Sequence, residues 1–260
     1  MIIGVPKEIK NYEYRVALVP SGVERLCKQG HQVLVEKSAG IGVGISDKDY
    51  TDAGAEVVNS AEEVFGNANV VVKVKEPLPQ EYSLLRSGQI LFTYFHFAAS
   101  AEPNHAMVDS GACCVAYETI RASDGSLPLL KPMSEIAGRM SVQEGAKCLE
   151  SPMDGKGVLL SGVPGVAPGN VVVIGGGVVG TNAARVAAGM GAQVTIMDVD
   201  TDQLRYLDDI MPKNVVTLHS NDYNIRSMLS RADLVIGAVL LCGRKAPVLV
   251  SRDMLKLMQP

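Results

Sequence analysis

The chain has 260 residues, 47% of them hydrophobic and 20% charged, and a formal net charge of −4. This is globular composition with enough length for two domains, each with its own core, and it offers no basic stripe to a nucleic acid or an anionic membrane. No apolar run approaches the ~20 residues of a bilayer span and the start lacks signal-peptide order. Five scattered cysteines and four dispersed histidines make neither a disulfide frame nor a zinc site, which fits reduced thiols in a cytoplasmic protein.

In chain order, residues 2–5 form a short β-branched run that reads as a strand. Apolar spacing over residues 21–29 predicts a helix stopped by Gly30. Residues 31–36 (HQVLVE), 55–58 and 68–74 read as strands, with a short helix over 60–65. Residues 89–95 and 112–117 are further strands, separated by a helix near 102–109. Apolar strands alternating with helices predict a parallel sheet covered on both faces. A longer helix is expected over residues 134–150, with Ser134 as its N-cap, near a domain boundary at 128–134.

The second half repeats the pattern. Strands are expected over 170–174, 193–197, 215–218 and 233–239, and helices over 181–190, 204–210, 224–231 and 252–258. The fold class is therefore α/β: two Rossmann-like parallel-sheet domains, residues 1–130 and 131–260. A crossover helix normally returns the chain to the sheet, yet no strand follows the last helix. DLVIGAVL (233–240) then becomes an apolar edge of the kind proteins cover, so the second domain is expected to lack its last strands as part of a longer protein.

Gly175, Gly177 and Gly180 make a G-x-G-x-x-G pattern around Val178 and Val179, between the strand VVVI and an alanine-rich helix. The first glycine permits the tight turn, the second lets the backbone approach a pyrophosphate, and the third lets helix and strand pack closely. The helix N-terminus offers unpaired N–H groups to the phosphates. Asp198 ends the next strand, where an acid accepts from ribose hydroxyls and repels a 2′-phosphate. That points to NAD as cofactor. A glycine turn used only for packing fits the same residues.

In the first half, Lys75 follows one strand, His96 follows another, and Arg15 lies in the loop after the first. Ligands of open parallel sheets bind beyond the carboxyl ends of the strands. Arginine and lysine suit a small carboxylate, and a histidine beside them can move protons near neutral pH. Solvated cations and a hydrogen-bonded structural histidine fit the same spacing.

Residues 4–18 (GVPKE…RVAL), 71–79 (VVKVKEPLP), 91–100 (LFTYFHFAAS), 116–120 (AYETI), 125–143, 161–166 (SGVPGV) and 232–240 (ADLVIGAVL) resemble L-alanine dehydrogenases, in register along essentially the whole chain. The resemblance implies reversible, NAD-dependent oxidative deamination of L-alanine to pyruvate and ammonia. It implies that Arg15 and Lys75 hold the substrate carboxylate and carbonyl, and that His96 is the general acid and base. Ser134, the turn at 175–180, Asp198, Ser220, Val239 and Leu240 would line the cofactor. It further implies a cytoplasmic homohexamer whose partners are small molecules. The NAD(H)-binding part of proton-translocating transhydrogenase shares the opening motif and the glycine turn but lacks the histidine segment present here at 96–99.

The family's chain continues past the position of residue 260 with a further strand, a catalytic aspartate, nicotinamide contacts and a return segment that completes the substrate domain. The resemblance thus implies that both domains are incomplete here, and a non-catalytic NAD-binding fragment is the alternative. Cys242, where the family usually has proline, and Ser161, in place of a glycine, are smaller departures.

Overall fold

All pairings between the strands are parallel. The computed structural model describes residues 1–98, 101–243 and 245–259, with side chains apart from those of residues 101 and 102. The chain divides into two units, Met1–Leu127 and Pro128–Pro260.

The first unit runs β1 (Ile2–Val5), α1 (Pro20–Lys28), β2 (Gln32–Glu36), α2 (Asp47–Asp52), β3 (Glu56–Val58), α3 (Ala61–Asn67), β4 (Val70–Lys75), β5 (Ile90–Tyr94), α4 (Ala101–Ser110) and β6 (Cys113–Ala116). Its six strands are ordered β3-β2-β1-β4-β5-β6. The chain winds outward from β1 in one direction and from β4 in the other, so the sheet reverses its winding between β1 and β4. A crevice opens at such a switch point, beyond the strands' carboxyl ends. The strands are apolar on both faces because both are covered: Val5, Val23, Val33, Val35 and Tyr50 pack in one cluster, and Phe65, Val71, Leu91, Phe95 and Met107 in another.

The hydrophobic pattern did not announce α2. It is set by a capping box, in which Asp49 N–H donates to Ser46 Oγ and Ser46 N–H donates to the Asp49 carboxylate.

The second unit runs α5 (Lys131–Cys148), β7 (Asn170–Ile174), α6 (Val178–Gly189), β8 (Gln193–Asp198), α7 (Thr201–Ile210), β9 (Val215–His219), α8 (Asp222–Leu229) and β10 (Leu234–Gly237). Its strand order is β10-β7-β8-β9, which puts the switch point between β7 and β10. The apolar β10 is an outer strand of this four-stranded sheet, as expected for DLVIGAVL.

Several helix boundaries differ from expectation, α7 starting at Thr201 and α8 at Asp222 where 204 and 224 were expected. The helix expected from Ser134 starts at Lys131, because Pro132 presets the first turn; Ser134 N–H donates to Leu130 O as an ordinary helical bond, so Ser134 is not the N-cap. The helix after the glycine turn starts at Val178, with Gly177 as its N-cap. The helix expected over 252–258 is a single 3-10 turn, Met254–Leu257, which inserts Met254 beside Ile225 and Leu229.

Candidate active site

Arg15 reaches the first unit's switch point from the loop after β1, and Lys75 is the last residue of β4. Arg15 donates from Nε to Glu13 Oε1 at 2.7 Å and from Nη2 to Glu13 Oε2 at 2.6 Å. This fork holds the Glu13 carboxyl below its usual range and raises the arginine above its own. The Lys75 charge adds a smaller lowering effect on Glu13, so both cations act on one carboxylate.

Lys75 lies opposite Tyr94 of β5, after a register shift between Val72 and Lys75. Such irregularities re-aim side chains beside binding sites. Thr93 Oγ1 donates to Lys75 O at 2.9 Å and ties the two strand ends together. Burial raises the Tyr94 phenol, and the Arg15 charge opposes that rise.

His96 follows β5 with φ 54°, a left-handed conformation uncommon for residues other than glycine. Its N–H donates to Glu118 Oε1 at 2.7 Å. Its ring stacks on Tyr94, with centroids 6.3 Å apart and planes 19° apart, and it is exposed. The Glu118 carboxylate thus ties down the backbone at this turn. The end of the 96–99 segment, Ala99, lies outside the described residues.

A cavity of about 520 Å³ lies beside these groups, lined by Arg15, Val16, Ala17, Val74, Tyr94 and Tyr117 among others. One guanidinium and two phenols in an otherwise apolar wall suit a small carboxylate with a short apolar side chain. Of the three expected residues Arg15 lines the cavity, while Lys75 and His96 do not line it and flank Tyr94, Lys75 through the strand register and His96 through its ring. Glu13, Tyr94, Tyr117 and Glu118 join the site only in the structure; Glu13 and Tyr94, each two residues before an expected site residue, carry a local signal in the sequence.

The second unit's switch point holds the glycine turn. Gly175 has φ 108°, and a Cβ on Gly180 would lie 1.7 Å from Gly175 O, so the turn and the close packing of α6 both require glycine. Nothing lies within 4 Å of a Cβ placed on Gly177, and no side chain caps α6. This open, uncapped helix start can receive a pyrophosphate, so the residues fit the dinucleotide that the motif implies.

Asp198 Oδ2 accepts from Gly176 N–H at 2.6 Å, and Oδ1 accepts from Asp200 N–H at 2.9 Å. The carboxylate thus ties the turn to the end of β8 and retains lone pairs for ribose hydroxyls. Ser220 N–H donates to Asp198 O at 2.8 Å, which fixes the end of β9 beside it. A Cβ on Gly175 would lie 2.9 Å from Val239 Cγ2, so Val239 borders the turn, while Leu240 is 60% exposed. Ser134 sits one helical turn before Gly138, where a Cβ would lie 2.2 Å from Val179 O; this close approach seats α5 on the first turn of α6. The described residues contain no metal-ligand cluster, and no described helix is long and apolar enough to cross a membrane.

Family models agree with this architecture. Residues 4–137 match the alanine dehydrogenase/PNT N-terminal domain, and residues 141–260 match the C-terminal domain. The chain is 56% identical to the alanine dehydrogenase of Methanococcus maripaludis, over all of this chain and 70% of that one. The chain belongs to the alanine dehydrogenase family.

The Bacillus subtilis alanine dehydrogenase is also 56% identical, over all of this chain and 68% of that protein. A solved L-alanine dehydrogenase superposes with a TM-score of 0.90 at 52% identity, over all of this chain and 72% of that one. A transhydrogenase from Sinorhizobium meliloti gives 0.79 at 28% identity, over all of this chain and 76% of that one. The family's dehydrogenase branch is thus the nearer of these two, in the direction indicated by the histidine segment.

Proposed function

We propose that the chain acts as an NAD-dependent L-alanine dehydrogenase: L-alanine, NAD⁺ and water give pyruvate, ammonium, NADH and a proton, reversibly. The observation that carries this reading is the convergence of Arg15, Lys75 and His96 around Tyr94 in the first unit. Bound NAD supplies the acceptor for the hydride that leaves the alanine Cα.

Arg15, steadied by Glu13, takes the substrate carboxylate, and Lys75 takes the carbonyl oxygen as a point charge. His96 removes a proton from the water that adds to the imine and returns one to the departing amine. In the second unit, Gly177 and the start of α6 take the pyrophosphate, with Val178, Val179 and Gly180 completing the turn. Asp198 takes the ribose. Ser134, Ser220, Val239 and Leu240 complete the cofactor lining. The reading includes a cytoplasmic homo-oligomer, a hexamer by family resemblance, which light scattering of the purified chain would weigh.

The test is NADH production by the 260-residue chain from L-alanine and NAD, with NADH binding followed in the same samples. We expect alanine-dependent turnover that falls at least 100-fold in His96→Ala while NADH binding persists. Binding without turnover in the unaltered chain would reduce the reading to a cofactor-binding piece. Turnover untouched by His96→Ala would remove His96 from the chemistry.

A further inference from the structure

Lys73 is 1% exposed, and a buried ammonium is tolerated only where carboxylates compensate it. Its Nζ lies 2.8 Å from Glu81 Oε1 and 3.3 Å from Glu8 Oε2. Glu81 Oε2 accepts from Leu78 N–H at 2.9 Å. The other oxygen of Glu8 has a different task. Oε1 accepts from Val74 N–H at 2.6 Å and faces Lys75 N–H at 3.4 Å.

Glu8 comes from the loop after β1, and Val74 and Lys75 end β4. One side chain therefore spans the switch point and grips the backbone that carries Lys75. The register shift between Val72 and Lys75 falls at this grip. Bulged backbone has N–H groups that the ladder does not serve, and the Glu8 carboxylate takes up that duty. The Glu8 charge also reaches Arg15 and Tyr117, so it acts on both sides of the crevice.

We propose that Glu8 is a positioning residue: anchored by the buried Lys73–Glu81 pair, it holds the backbone at Val74 and Lys75 so that the Lys75 ammonium presents to substrate alongside Arg15. This rests on the reading of Lys75 as a substrate-binding residue. Glu8 touches no substrate itself. Its contribution is the reach of its side chain, since a carboxylate one methylene shorter could still neutralise Lys73 yet would release Val74 N–H.

That difference defines the experiment. Acylation of the Lys75 amine in the full chain is followed by mass spectrometry while pyruvate is titrated as protecting ligand, for the unaltered chain, Glu8→Asp and Glu8→Gln, with thermal melts of all three. In the unaltered chain pyruvate should protect Lys75 saturably. Glu8→Gln keeps an acceptor at full reach and should need less than threefold more pyruvate. Glu8→Asp keeps the charge but loses the reach, and should need about tenfold more. A role confined to neutralising Lys73 predicts the reverse order, and that order, or two variants matching the unaltered chain, overturns the proposal. Failure of pyruvate to protect Lys75 in the unaltered chain instead refutes the assignment of Lys75, and the proposal falls with it. Glu8→Asp is the variant expected to fold, because the buried ammonium keeps two carboxylates.

Discussion

Gly177→Ala separates folding from cofactor binding. In the free protein the added methyl would meet no atom within 4 Å, and Gly177 has φ −68°, which alanine adopts without strain. The stability cost is then the N-cap preference of glycine over alanine, about 1 kcal/mol or less, or about 3 °C in Tm. With the dinucleotide bound, the methyl would stand where the pyrophosphate comes within ~2.9 Å of backbone N–H groups. Pushed back by ~1 Å, the phosphate would lose one or two charge-assisted hydrogen bonds worth about 1.5–3 kcal/mol each before relaxation. We expect NADH affinity to fall about 10- to 100-fold, or about 1.4–2.8 kcal/mol. NADH fluorescence titration and thermal melts on the same preparation measure both quantities. The contrasting variant is Gly180→Ala, whose Cβ would lie 1.7 Å from Gly175 O. It should lose several degrees of Tm together with binding, because the helix itself must move. If Gly177→Ala binds NADH as tightly as the unaltered chain, the pyrophosphate does not pass over this turn.

Two further outcomes follow from the hydrogen bonds. Asp198→Asn keeps an oxygen for Gly176 N–H but removes the charge facing the ribose; NADH affinity should drop about tenfold with little change for NADPH, and parallel titrations giving an unchanged NADH/NADPH ratio would contradict the ribose assignment. Tyr50 is buried and donates its hydroxyl to Leu18 O at 2.8 Å, and burial pushes its phenol up to about 12 from the ordinary 10. The unfolded chain loses this proton first, so the stability linked to it is intact below pH ~10 and lost as pH rises toward 12. Tyr50→Phe should flatten the decline of the urea midpoint between pH 10 and 12, although Tyr94 and Tyr117 keep part of the slope. An unaltered slope would show that Tyr50 ionises alike in both states.

Much of the second unit was legible because its signals are local. The strand VVVI, the glycine turn and Asp198 lie within about 30 residues, and each glycine has a conformational reason to be there. Helix starts were read two or three residues late at α5, α6, α7 and α8, whether proline, glycine or a capping side chain sets the first turn, because the apolar spacing begins only after the cap. The helix α2 went unread because a Ser46–Asp49 capping box makes it, without any apolar stripe.

Composition, periodicity and short motifs, all properties of neighbouring residues, determined the α/β class, the dinucleotide turn and the three polar candidates Arg15, Lys75 and His96. Strand order was decided only in three dimensions. It put β1 beside β4 and brought the loop carrying Glu8, Glu13 and Arg15 to the strand end carrying Lys75, about 60 residues away in the chain. The contact of Glu8 with Lys73, 65 residues away, belongs to the same class. Lys73 sits in a run of valines and reads as an interruption of a strand. It becomes intelligible only when folding adds the Glu8 carboxylate from a loop 65 residues away to that of Glu81, eight residues on, because the free energy of a buried charge depends on partners that sequence adjacency does not reveal.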